Sequence, residues 1–144
     1  MQQALLARDA LENLGVGVCI WSITSFVELQ RDALACQQHN RDNPRAEARV
    51  SRLERMFQGE TGVFIAVTDY MAALAQGVAA WMPPNFEVLG TDGYGLSESR
   101  TRLREHFSVD AMAVAEGALS ALYRHGLLDQ SRFESAMHGV CGSK

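Results

Sequence analysis

Val88-Leu89-Gly90-Thr91-Asp92-Gly93-Tyr94-Gly95-Leu96-Ser97-Glu98-Ser99-Arg100 is the stretch on which the reading of this chain turns. The apolar run Phe86 to Leu89 feeds a turn holding Gly90, Gly93 and Gly95, and a polar stretch rich in capping residues follows. That order reads as strand, tight loop, helix. The glycines suit a backbone that takes positive φ or passes close to other atoms. Ser97 is the expected N-cap, since a serine hydroxyl accepts from an amide of the first helical turn. Such a loop lies at the carboxyl end of a strand, where open α/β sheets carry their sites.

The flanking sequence repeats the alternation. Met1 to Leu14 places Ala4, Ala7, Leu11 and Leu14 at helical spacing, and Gly15 and Gly17 end the pattern. Val16 to Ile23 is nearly all apolar and reads as a strand covered on both faces, with Cys19 as an inert core thiol. Ser25 and Glu28 have capping-box spacing and open a helix to Asn40, and a loop over Arg41 to Arg45 follows. A further helix is expected from Ala46 to Gln58. Val63 to Val67 is a second β-branched strand. Thr68 and Asp69 are expected to cap the next helix, with Tyr70, Leu74, Val78 and Trp81 on its core face and Pro83-Pro84 at its end. Downstream come helices over Ser97 to His106 and Ala111 to His125, then one capped by Asp129. Met112, Ala115, Leu119 and Leu122 form the apolar stripe of the second. Strands alternating with helices predict an α/β three-layer sandwich around a small, mainly parallel sheet, formed by one domain over residues 1–144.

Composition excludes several classes of function. Hydrophobic residues make up 47% and charged residues 21%, an ordinary globular balance. A net charge of −4 speaks against a general nucleic-acid binder, whose affinity rests on clustered Lys and Arg. The arginines at 41, 45, 49, 52 and 55 are interrupted by Asp42, Glu47 and Glu54 and read as a solvated helical face. No apolar run approaches the roughly 20 residues of a membrane span. The amino-terminal residues lack a signal-peptide pattern. Cys19, Cys36 and Cys141 are odd in number and without metal-ligand spacing, which fits a reducing, cytoplasmic compartment.

The decisive stretch also resembles a known family. Gly90-Thr91-Asp92-Gly93-Tyr94-Gly95 with Ser97, Ser99 and Arg100 is similar to the segment GTDGFGRSDSR of the homodimeric pyruvate dehydrogenase E1 component. Trp21-Ser22-Ile23-Thr24-Ser25-Phe26 is similar to its YSVTSF, and Thr68-Asp69-Tyr70-Met71 to its STDYM, in the same order and at about the same spacing. The match is to that enzyme's C-terminal domain, shared in fold with transketolases. It implies a scaffold and dimer-contact role within an enzyme that decarboxylates pyruvate on thiamine diphosphate and Mg²⁺ and acetylates the lipoyl group of an E2 partner. It also implies as partners a second copy or the remaining E1 domains, and an inactive chain when isolated. In the family a strand with a glycine-rich turn precedes the helix matching Met1 to Leu14. That strand has no counterpart here, so the sheet is expected to show an edge or gap that pairs with another chain.

The chemistry-bearing residues admit two readings. The loop amides, with Arg100 and Arg102, would form a free-standing module that holds a small anion or a 2-oxo acid. Alternatively, Thr91 to Arg100 turns the chain and packs against neighbouring domains. There is no G-x-G-x-x-G or Walker pattern. The family's metal-binding G-D-G…N motif is echoed by Asp92-Gly93, but no Asn follows it. His39, His106, His125 and His138 are scattered and lack zinc-ligand spacing. No catalytic, cofactor-binding or metal-binding residue is therefore assigned.

Overall fold

Phe86 to Leu89 forms a strand with the expected bounds, and it pairs in parallel with Phe64–Val67. These are β2 and β1, in register Phe64 opposite Phe86 and Val67 opposite Leu89. The structure, a computed structural model, describes residues 1–94 and 96–141, with Cys141 described for its backbone alone. Among them the helices are α1 (Gln2–Asn13), α2 (Phe26–Asp42), α3 (Arg52–Met56), α4 (Ala72–Gln76), α5 (Arg100–His106), α6 (Ala111–Arg124) and α7 (Gln130–Cys141).

The layers follow from strand alternation. Ile65, Val67 and Leu89 point to a core built by α1, α6 and α7, where Ala7, Leu11, Ala115 and Leu119 are buried. Phe64 and Phe86 point the other way, to Leu53, Phe57 and Val78. A sheet covered on both faces by helices is the three-layer α/β arrangement, here around a sheet of two parallel strands. Ala115 and Leu119 of the expected α6 stripe are fully buried, and Met112 and Leu122 pack at the margin.

Local signals set most helix starts. Ser25 Oγ accepts from Glu28 N at 3.2 Å and caps α2, while the Glu28 carboxylate turns to Arg31 instead of completing a box. Asp110 caps α6 through Ala113 N, and Asp129 Oδ1 accepts from Arg132 N at 2.9 Å. A complete capping box does occur, at Ser51 and Glu54, six residues inside the helix expected over Ala46 to Gln58. That helix is cut to Arg52–Met56 because the Asn40 side chain claims Arg49. Asn40 donates to Arg49 O at 2.9 Å and accepts from Arg49 N at 2.8 Å. The arginines at 41, 45, 49, 52 and 55 are exposed, but they lie on α2, the loop and α3 instead of one helical face.

Four further expectations change. Val16 to Ile23 has no ladder partner among the described residues, although it stays extended in pattern: Val16, Val18 and Ile20 are half-buried while Gly17, Cys19 and Trp21 are exposed. Cys19 is therefore not a core thiol. The helix after β1 starts at Ala72, not at Tyr70, and ends at Gln76; its buried positions are Ala72 and Ala75, Val78 is buried beyond its end, and Tyr70 is 72% exposed. The helix after the glycine loop starts at Arg100 with Ser99, not Ser97, as N-cap.

Candidate functional site

The loop after β2 is held by the loop after β1. Gly90 sits so close to that neighbour that a Cβ would stand 2.6 Å from Ala72 N and 2.9 Å from Tyr70 O. Only a residue without a side chain fits. Thr91 N then donates to Tyr70 O at 2.9 Å, and Thr91 Oγ1 donates to Asp69 O at 2.9 Å. Asp92 Oδ1 accepts from Ala72 N at 3.0 Å. Ala72 N is an orphan donor of the first turn of α4, so Asp92 caps that helix from 20 residues away. The role expected of Thr68 and Asp69 thus falls to Asp92. Thr68 Oγ1 instead closes a local turn by accepting from Tyr70 N at 3.1 Å.

Beneath the loop lies a cavity of about 470 Å³ lined by Thr91, Gly93, Leu96, Arg100, Arg104 and Asp69, among others. Arg104 donates to Asp69 Oδ2 at 3.2 Å, and its Nε is buried without a partner. The pair offsets the positive charge facing the cavity. Arg100 reaches the wall, whereas Arg102 is drawn off to Glu98 at 3.9 Å and does not line it. Arg104 was not singled out in the sequence, yet a signal existed: Arg100 and Arg104 stand four apart on one helix face. Thr91 N is committed to Tyr70 O, and Arg102 lies with Glu98.

The other candidates are distributed as follows. Gly93 takes φ +113° with open space around it, which favours glycine, and Tyr94 is 94% exposed. Ser97 and Ser99 are exposed, and Ser99 Oγ accepts from Arg102 N. Gly95 lies outside the described residues. The two loops and the start of α4 present apolar side chains: Tyr70 and Met71 from one loop, Leu74 from α4, Tyr94 and Leu96 from the other loop, all exposed. Large exposed apolar residues gathered at one end of a molecule mark an interaction surface.

Among the described residues no three His, Cys, Asp or Glu side chains converge as ligands. Asp92 caps α4 and Asp69 is paired to Arg104. So engaged, these two carboxylates do not fit as ligands of Mg²⁺-bound thiamine diphosphate. No described helix is long and apolar enough to cross a membrane.

A family model described as the transketolase-like TK C-terminal domain matches residues 1–110. The chain is similar to the pyruvate dehydrogenase E1 component of Pseudomonas aeruginosa, with 43% identity over 121 residues, covering 83% of this chain and 14% of that protein. It is also similar to the E1 components of Escherichia coli K12, at 41% over 128 residues (85% of this chain, 14% of that protein), and Mycolicibacterium smegmatis, at 35% over 132 residues (91% and 14%). The chain thus spans about 14% of the length of these curated relatives.

Proposed function

This chain belongs to the transketolase-like C-terminal domain family, and from that premise we propose that it is the scaffold and assembly domain of a pyruvate dehydrogenase E1-type enzyme. Residues 1–144 would act as one unit, a reading supported by α6, which lies beyond the matched 110 residues and supplies Ala115 and Leu119 to the same core as Ala7 and Leu11. The whole enzyme would be cytoplasmic. It would decarboxylate pyruvate with thiamine diphosphate and Mg²⁺ and pass the acetyl group to a lipoyl-bearing E2. Those groups sit on parts other than this one, and this chain by itself is inactive toward pyruvate.

The observation that carries the assembly role is the exposed apolar surface of Tyr70, Met71, Leu74, Tyr94 and Leu96. Backbone bonds and the Asp92 cap brace both loops, so the surface is pre-organised and costs little ordering entropy on association. Its partner is a second copy or the remaining E1 domains, and Thr91 to Arg100 is the centre of the contact. Sedimentation equilibrium of the purified chain over a wide concentration range tests the homodimer. The expected result is self-association that weakens by about 2 kcal/mol, or roughly thirtyfold, in a Tyr94→Ala variant. A chain that stays monomeric throughout would remove the second copy and leave the remaining E1 domains as the partner, and a dimer indifferent to Tyr94→Ala would refute this contact. Turnover of pyruvate by the purified chain would refute the non-catalytic role.

A further inference from the structure

The arginines at 41, 45, 49, 52 and 55 take no part in the site described above. They lie in a chain of net charge −4 and share their segment with Asp42, Glu47 and Glu54. All five are exposed. The fold gathers them without neutralising them. Asn40 exchanges two hydrogen bonds with the Arg49 backbone, at 2.9 and 2.8 Å, so the loop carrying Arg41, Arg45 and Arg49 is closed at its ends. Within it, the Asn43 backbone N and Nδ2 both donate to His39 O, and Ala46 N donates to Asn43 O. Asp32 Oδ2 accepts from Arg52 N at 2.7 Å and fastens the start of α3 to α2. Arg55 follows three residues on, on the same side of α3.

The nearby carboxylates serve other donors. Asp32 takes the Arg52 amide, Glu54 Oε2 accepts from Ser51 N and Ser51 Oγ, and Asp42 Oδ1 accepts from Gln38 Nε2. Elsewhere the pattern is different: Arg8, Arg31, Arg102, Arg104 and Arg124 each have a carboxylate oxygen within 4.0 Å. Among the described residues, none of the five arginines of this segment has one. Stability does not explain the cluster. Arg52 and Arg55 repel along α3, and a cation at the amino end of a helix opposes its dipole.

We propose that this arginine surface binds an acidic segment of a partner polypeptide, whose Asp and Glu carboxylates pair with the guanidinium groups of residues 41–55. A guanidinium is a planar fork that takes a carboxylate through two N–H bonds. A braced loop presents its arginines with little ordering left to lose on association. A nucleic acid fits this surface less well. No aromatic side chain lies between residues 41 and 55 for a base to stack on, and Glu47 interrupts the track. The net negative charge of the chain also repels a long polyanion. The inference does not rest on the E1 reading.

The test is an NMR titration of the full chain with a synthetic dodecapeptide of alternating Asp and Glu, beside an Asn and Gln peptide of the same shape. Saturable amide shifts confined to residues 41–55 are expected, with a Kd of about 0.1–1 mM at low salt. Raising salt from about 20 to about 200 mM should weaken binding severalfold, since exposed pairs are screened. A variant carrying Arg41→Gln, Arg45→Gln and Arg49→Gln should bind about tenfold more weakly. Those three side chains make no hydrogen bond or ion pair among the described residues, so its urea midpoint should match the parent's. Arg8→Gln, which removes an arginine already paired with Asp9, should leave the Kd unchanged. Three results would overturn the proposal. One is no shift at millimolar peptide in low salt. Another is equal binding of the Asn and Gln peptide, or of the acidic peptide to the triple variant. The last is tighter binding of a single-stranded RNA through the same arginines, which would make this a nucleic-acid surface.

Discussion

Replacing Gly90 by alanine asks whether the two loops at the carboxyl ends of the strands are locked together. The new Cβ would stand 2.6 Å from Ala72 N, 2.7 Å from Ala72 Cα and 2.9 Å from Tyr70 O. All three are backbone atoms, so no side-chain rotation relieves the overlap. Separating the loops strains the bond from Thr91 N to Tyr70 O and the Asp92 cap on Ala72 N. Overpacking costs about 1–3 kcal/mol, and losing those hydrogen bonds adds about 0.5–1.5 kcal/mol each. The expected destabilisation is about 2–4 kcal/mol. At ~2–4 °C per kcal/mol for a chain near this size, that is a large fall in Tm. The sign makes the test sharp. Where a glycine's conformation suits alanine and space is free, the change stabilises by about 0.4–1 kcal/mol through the unfolded chain. Urea unfolding followed by circular dichroism, with an unchanged m-value, reads the difference. A Gly90→Ala chain as stable as the parent, or more so, would refute the locked-loop geometry.

Other substitutions probe separate parts of the same account. Asp92→Ala should cost about 1 kcal/mol by removing the cap from α4, with Asp92→Asn retaining most of it, again by urea unfolding. Ser51 is fully buried in its capping box, so Ser51→Ala should cost about 1–2 kcal/mol and lower Tm in calorimetry. Leu119, with no exposure in the core between α1, α6 and α7, should lose about 3–5 kcal/mol on change to alanine, enough to threaten folding at 37 °C. Cys19 is exposed, so it should react with a thiol reagent in the native state. If Cys19 reacted only after unfolding, its placement would be wrong.

Local chemistry was legible along the chain, and long-range partnership was not. Ser25, Asp110 and Asp129 cap helices within three residues of their own position. Such bonds can be read from spacing. The bounds of α6 and β2 followed in the same way from periodicity and from the turn after Leu89. The glycine loop was recognisable, and so was its place at a strand's carboxyl end.

Which group would cap α4 could not be read, because Asp92 reaches Ala72 across 20 residues and only the fold brings them together. The spacing of Arg100 and Arg104 puts both on one face of α5, but the partner of Arg104, Asp69, lies 35 residues away and could not be read. The helix expected over Ala46 to Gln58 was shortened by Asn40, whose amide outcompeted the helical bonds of Arg49. Val16 to Ile23 shows the limit most plainly. Its sequence specifies an extended apolar segment, and the alternating burial of Val16, Val18 and Ile20 agrees. A helix closes its bonds within itself, from residue i to i−4, whereas a strand exists as such only through a neighbour's ladder. The sequence therefore determined which segments coil and which extend, while tertiary structure alone decided which extended segments share a ladder: β1 pairs with β2, and among the described residues Val16 to Ile23 pairs with neither.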